Sequence, residues 1–184
     1  DRRQPDRRGG DGALLPLAPP RATGGSLDLQ DDLSELLALA EALLSSGTVY
    51  AIDIQKDLLR RIKNHADAKG YTNVEIIWGD LEQEGGSKLA ETIDLVLISN
   101  LLFQLDDHAA VVREATRILK PGGRLAIIDW TDSFGGMGPA KDAVVTQEKA
   151  YELARSAGLI FVKEFSAGSH HYGLIFRPVS LQQL

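Results

Sequence analysis

The sequence predicts an α/β domain: a mostly parallel sheet with helices on both faces. Three observations carry this expectation. From Ser26 onward, stretches of helical periodicity alternate with short β-branched runs at the spacing of βαβ units. Residues 93 to 99 are apolar almost throughout, the pattern of a central strand covered on both sides. Asp53, Gly79-Asp80 and Ser99-Asn100 fall where such runs end, and ligands of open parallel sheets lie beyond the carboxyl ends of the strands. Right-handed crossovers then put helices on both faces.

Residues 1–25 are rich in Arg, Gly, Pro and Ala. They are expected to form a flexible or irregular arm, leaving 26–184 as the folded domain. Ser26 to Leu29 reads as the end of a first strand. Leu33, Leu36, Leu37, Ala40 and Leu44 recur at helical spacing behind Asp31 or Asp32 as N-cap. Ser45-Ser46-Gly47 breaks that helix, and Thr48 to Ile54 follows as a strand bearing Asp53. Lys56 to Lys69 is amphipathic, with Leu58, Leu59, Ile62 and Ala66 inward, and Gly70 closes it. Val74 to Trp78 is the next strand. Asp106 or Asp107 caps a helix through Leu119, striped by Val111, Ala115 and Ile118. Lys120-Pro121-Gly122-Gly123 stops it before an apolar strand, Arg124 to Asp129. Thr146 caps a helix to Ser156. Leu159 to Phe165 and Tyr172 to Phe176 make a closing antiparallel pair.

At 184 residues and 43% hydrophobic, the chain is long and apolar enough for one packed core. It has no cysteine, which removes disulfides, cysteine zinc sites and thiol catalysis and fits a cytoplasmic location. The net charge of -6 disfavours a general grip on nucleic acid. No apolar run approaches the roughly 20 residues that span a bilayer.

The strand ends supply the candidate site. Asp53 can accept both hydroxyls of a ribose, or cap the helix after it. In Gly79-Asp80-Leu81, glycine admits a flat ring near the backbone, the carboxylate accepts from an exocyclic amine and the leucine covers the ring; an ordinary turn has the same composition. Asn100 offers a donor and an acceptor to a ligand. Asp129 and His171 are the candidate proton acceptors, and Trp130 packs either on a substrate or in the core. His170 and His171 are adjacent on a strand and point to opposite faces, so they make a poor metal site, and no metal is expected.

The order Val49-Tyr50-Ala51-Ile52-Asp53, Gly79-Asp80-Leu81, Ile93-Asp94-Leu95-Val96-Leu97-Ile98-Ser99-Asn100 and Arg117-Ile118-Leu119-Lys120-Pro121-Gly122-Gly123-Arg124-Leu125 resembles the class I methyltransferases that depend on S-adenosylmethionine (SAM). The Leu-Lys-Pro-Gly-Gly phrase is the most specific part. The resemblance covers about residues 26 to 177 and looks closest to the small-molecule, quinone-methyltransferase branch. It implies a Rossmann-like sheet of seven strands with the last antiparallel, SAM as cofactor and a small-molecule acceptor. By motif position it implies Asp53 at the ribose, Asp80 at the adenine amine, Leu81 at the adenine face and Asn100 near the methionine part, with Asp28, Ile54, Gly79 and Leu101 among the cofactor-binding residues. The family's acid-x-Gly-x-Gly-x-Gly loop would start at Asp28, with Gln30, Asp32 and Ser34 in place of the glycines. That departure leaves a second expectation open, a degenerate binding module that no longer methylates.

Overall fold

The computed structural model describes residues 11–16, 40–42, 47–90, 93–134 and 138–179. Among them, seven strands form one sheet: β1 (Asp11–Pro16), β2 (Gly47–Asp53), β3 (Val74–Trp78), β4 (Ile93–Ser99), β5 (Leu119–Trp130), β6 (Leu159–Ser166) and β7 (His171–Pro178). The helices are α1 (Lys56–Ala68), α2 (His108–Ile118) and α3 (Gln147–Ser156), with a 3-10 turn at Leu102–Gln104. The strand order is β3-β2-β1-β4-β5-β7-β6. β3, β2, β1, β4 and β5 pair in parallel, whereas β7 is antiparallel to both β5 and β6. The order reverses between β1 and β4, the point at which such sheets open a crevice.

Side-chain alternation builds two apolar layers. Val49, Ala51, Leu97 and Ala126 pack with Leu59, Ile62 and Ala66 of α1. Their strand neighbours Ile52, Val96, Ile98, Leu125 and Ile127 pack on the other face with Val111, Ala115 and Ile118 of α2 and Ala150, Leu153 and Ala154 of α3. Helices therefore cover both faces. The caps are where the sequence puts them: Asp107 Oδ1 accepts the Ala110 N–H at 2.9 Å, and Thr146 Oγ1 accepts the Lys149 N–H at 3.2 Å. No helix among the described residues is long and apolar enough to cross a membrane.

Two expectations need correction. The first strand is Asp11–Pro16, inside the stretch expected to be an irregular arm. It fills the slot between β2 and β4, pairing with both, so long-range partners decide its state. The segment after the first strand thus begins at Leu17 and holds Gly24 and Gly25, which removes the basis for reading Gln30, Asp32 and Ser34 as replaced glycines. Asp28 and the expected strand at Ser26 to Leu29 lie outside the described residues. Second, β5 begins at Leu119 rather than Arg124. The Lys-Pro-Gly-Gly phrase lies within it as an irregularity, where the register against β4 shifts between Ile93 and Leu95. Gly122 there has a φ of +84°, which favours glycine.

Candidate functional site

The tips of β3, β2, β1 and β4 are neighbours in the sheet, so the residues after them share one edge about three strand spacings wide, roughly 14 Å. Asp53 stands level with Trp78, and the Gly79 N–H donates to the Asp53 carbonyl at 3.1 Å. This joins the β2 and β3 tips directly. The Asp53 side chain is only 3% exposed, and its Oδ1 accepts the Gln55 N–H at 2.6 Å. Burial pushes its pKa up to about 6, against the opposing pull of the Gln55 and Ile54 N–H groups. Beside this carboxylate the surface is apolar: Ile54 is 57% and Trp78 51% exposed. The Trp78 indole N–H donates to the Ile54 carbonyl at 2.9 Å, and Lys56 Nζ lies 4.2 Å from the ring centroid.

Gly79 is required for a reason other than the expected one. A Cβ on it would stand 2.0 Å from the Gly86 carbonyl oxygen, and a Cβ on Gly86 would stand 1.6 Å from the Asp80 oxygen. The two glycines let the loop after β3 fold back on itself. In that loop Asp80 Oδ1 accepts the Glu82 N–H at 3.0 Å, and Leu81 packs partly against the main core. The loop is tied to α2 at both ends. Glu82 Oε1 accepts the Asp106 and Asp107 N–H groups at 3.0 and 2.6 Å. Glu114, 3% exposed, accepts from Gly85 and Ser87 and pairs with Arg117. Sequence reasoning missed both glutamates. Glu114 carried a signal: it occupies the apolar stripe of α2 beside Val111, Ala115 and Ile118, where an unpaired carboxylate is not tolerated.

Asn100 follows β4 with a φ of +51°, a left-handed conformation that asparagine adopts more readily than most residues. Its N–H donates to the Ile128 carbonyl at 3.0 Å, and its carbonyl accepts from Gln104 Nε2 at 2.9 Å. The Leu101 side chain is 4% exposed within the main core, so it does not present a face to a ligand. Asp129 is fully buried: Oδ2 accepts the Leu102 N–H at 3.0 Å and Oδ1 the Trp130 N–H at 2.8 Å. Its carboxylate thereby ties the end of β5 to the turn after β4.

Trp130 is 7% exposed and belongs to the packing. Its ring lies 4.3 Å from that of His171, centroid to centroid, and a Cβ at Gly138 would press on it at 2.6 Å. His171 lines a shallow hollow with Thr131, Gln147 and Glu164 over the β6–β7 side. His170 packs against Phe134 at 4.2 Å between centroids. A different cavity, of about 460 Å³, opens between the turn after β4 and the segment leading to α3, and Gln104, His108 and Lys149 are in its wall. The structure thus brings Asp53, Gly79, Asp80 and Asn100 to one edge and leaves Asp129 and His171 outside the wall of the cavity that Gln104 lines.

A methyltransferase-domain family matches residues 34–171. Over 96 residues the chain is 34% identical to an arsenite methyltransferase of Aquipseudomonas alcaligenes, covering 50% of this chain and 28% of that protein. Over 93 residues it is 31% identical to a demethylmenaquinone methyltransferase of Geobacillus sp., covering 50% of this chain and 39% of that protein. The chain thus covers less than half the length of these relatives. A SAM-dependent methyltransferase from Aquifex aeolicus has the same fold, with a TM-score of 0.75 at 22% identity over 94% of this chain and 84% of that one. So does the [4+2]-cyclase SpnF, with a TM-score of 0.69 at 15% identity over 95% of this chain and 77% of that one. With the family match running from residue 34 to the start of β7, the chain belongs to the class I SAM-dependent methyltransferase family.

Proposed function

We propose that the protein transfers a methyl group from SAM to a small-molecule acceptor. Asp53 carries the reading. It is a buried carboxylate at the tip of β2, paired with no lysine or arginine among the described residues, and a ribose diol supplies the donors that such an acceptor lacks. Ile54 offers exposed apolar surface beside it, and Asp80 and Leu81 one strand away suit an adenine's amine and face. Asn100, on the far side of the switch point, is assigned to the methionine end. Leu101 contributes there through its backbone, because its side chain is in the core. These residues fit SAM.

When bound, SAM supplies a methyl group already activated on a sulfonium, so alignment is most of what the protein must add. The acceptor is placed in the cavity beyond Asn100, where Gln104 anchors the turn. Asp129 holds the two strand tips that frame it. His108, in the cavity wall, is better placed than His171 to take a proton from an acceptor that carries one. The demethylmenaquinone methyltransferase relative supports a small-molecule acceptor. The arsenite methyltransferase relative does not extend to arsenic here, because this chain holds no cysteine and soft centres take thiolate ligands. The cysteine-free composition favours a cytoplasmic setting.

A second reading, a module that binds without transfer, is favoured by the segment between β1 and β2, which lacks the acid-x-Gly-x-Gly-x-Gly phrase. SpnF, named a cyclase, shows that the fold also serves other chemistry. Isothermal titration with SAM and with Asp53→Ala tests the proposal. Binding at micromolar to sub-millimolar SAM, weakened roughly tenfold or more by the substitution, is expected. No heat at millimolar SAM, or equal affinity in the variant, overturns the assignment of the site. Binding with no methyl transfer to any acceptor supports the second reading.

A further inference from the structure

We infer that Trp78 and Lys88 are positioning residues that orient the Asp53 carboxylate for a ribose diol, acting through two peptide planes. The inference rests on the methyltransferase reading for its ligand and adds the brace that holds the ribose acceptor in place.

A peptide unit is planar and rigid, so fixing its carbonyl fixes the direction of its N–H. The Ile54–Gln55 unit is held at both ends. Its carbonyl accepts the Trp78 indole N–H at 2.9 Å, and its N–H donates to Asp53 Oδ1 at 2.6 Å. The Trp78–Gly79 unit is held in the same way. Its carbonyl accepts Lys88 Nζ at 2.5 Å, and its N–H donates to the Asp53 carbonyl at 3.1 Å. Both routes pass through Trp78. One ends on the Asp53 carboxylate and the other on the Asp53 backbone. Lys56 Nζ and Lys88 Nζ lie 4.2 and 5.1 Å from the centroid of the indole, so cation–π attraction steadies the ring. Asp53 is paired with no lysine or arginine among the described residues, which leaves backbone donors to set the plane of its carboxylate. Hydrogen bonds weaken steeply off line, so a diol is received best by a carboxylate already oriented. Two observations distinguish this brace from an ordinary aromatic on an edge strand. Trp78 is 51% exposed, so about half of its surface gains nothing from packing. Lys88 takes a φ of +58°, a left-handed conformation that is costly for a residue other than glycine and that collects at functional sites.

The test is a double-mutant cycle read with two probes, adenosine and 2′,3′-dideoxyadenosine, which differ only in the ribose hydroxyls. Ligand-observed NMR titrations use the full chain. The wild type is expected to prefer adenosine by roughly tenfold or more. Trp78→Phe keeps an aromatic ring and removes the N–H; it is expected to cut the preference to roughly threefold or less, by weakening adenosine. Lys88→Met, which keeps the stem and removes the donor, is expected to shift the preference the same way. In an Asp53→Ala background no carboxylate remains to be oriented, so adding Trp78→Phe is expected to change neither affinity. An unchanged preference in Trp78→Phe or Lys88→Met overturns the inference. So does a loss shared equally by the two nucleosides, or a Trp78→Phe effect that persists without Asp53, since either marks a general structural role. Those outcomes leave the proposed function standing. A wild type that binds neither nucleoside at millimolar concentration, or both equally, overturns the ribose assignment of Asp53 and this inference with it.

Discussion

Glu114 grips Ser87 twice: its Oε1 accepts the Ser87 N–H at 3.0 Å and the Ser87 hydroxyl at 2.5 Å. Its Oε2 accepts the Gly85 N–H at 3.0 Å, and Arg117 donates to the same carboxylate at 2.7 and 2.8 Å. One buried side chain on α2 thus fixes the return half of the loop whose first half is Gly79-Asp80-Leu81. The adenine end of the proposed site is held from beneath by a helix, although the loop itself has no regular structure.

That grip is pH-dependent. Burial works to raise the Glu114 pKa, but the hydrogen bonds from Arg117, Ser87 and Gly85 outweigh it and hold the carboxyl at about 2, below the ordinary 4.5. Between those values the unfolded chain binds the proton and the folded one does not, so stability rises with pH across this window. The wild type is expected to lose about 3 kcal/mol as pH falls from above 4.5 to about 2. Glu114→Gln is expected to lower Tm at pH 7 and to lack that component of the acid limb. Urea unfolding at a series of pH values measures both.

Asp53 behaves oppositely. Its folded pKa is raised to about 6 from 3.8, so between these values the folded state holds a proton that the unfolded state has lost. Stability falls as pH rises through this window, by about 3 kcal/mol in total. Asp53→Asn is expected to stabilise the ligand-free protein above pH 6 and to weaken SAM binding. In the wild type, SAM affinity is expected to increase from pH 5 to 7, because hydroxyl donors favour the ionised carboxylate. Thermal melts and calorimetry at matched pH check the two halves.

Asp129→Ala is expected to cost roughly 1–3 kcal/mol for each backbone N–H it abandons, at Leu102 and Trp130. Its effect on turnover should follow from misplaced strand tips. Residual kcat/KM is expected to keep the wild-type pH profile. Loss of one limb of that profile, with stability unchanged, would restore Asp129 as a base.

Gly79→Ala places a Cβ 2.0 Å from the Gly86 carbonyl oxygen, an overlap only a shift of the loop can relieve. A stability loss of roughly 1–3 kcal/mol or more is expected, together with weaker SAM binding. Gly70→Ala, at a φ of +75° with nothing near the added atom, separates backbone strain from collision: it should lower Tm modestly and leave SAM binding intact.

Much of this architecture is legible in the residue order. The runs Val74–Trp78 and Ile93–Ser99 are strands within the expected bounds, and Asp107 and Thr146 cap the helices they precede. β1 was not legible, because six residues in a Gly-, Pro- and Arg-rich stretch become a strand only by pairing on both sides. The burial of Asp129 was legible, because the residue alternates in phase with Leu125 and Ile127, whose side chains enter the α2–α3 core, and that two-residue period assigns it to the buried face. Gln104 gave no signal at all, since its structural role lies in one backbone carbonyl four residues earlier.

The most direct measurement is a crystal structure with S-adenosylhomocysteine. The ribose hydroxyls are expected within hydrogen-bond distance of the Asp53 carboxylate, with the adenine beside Asp80 and the amino-acid end toward Asn100. A nucleoside bound elsewhere, or an edge that stays empty at millimolar ligand while the sheet is intact, would contradict the account.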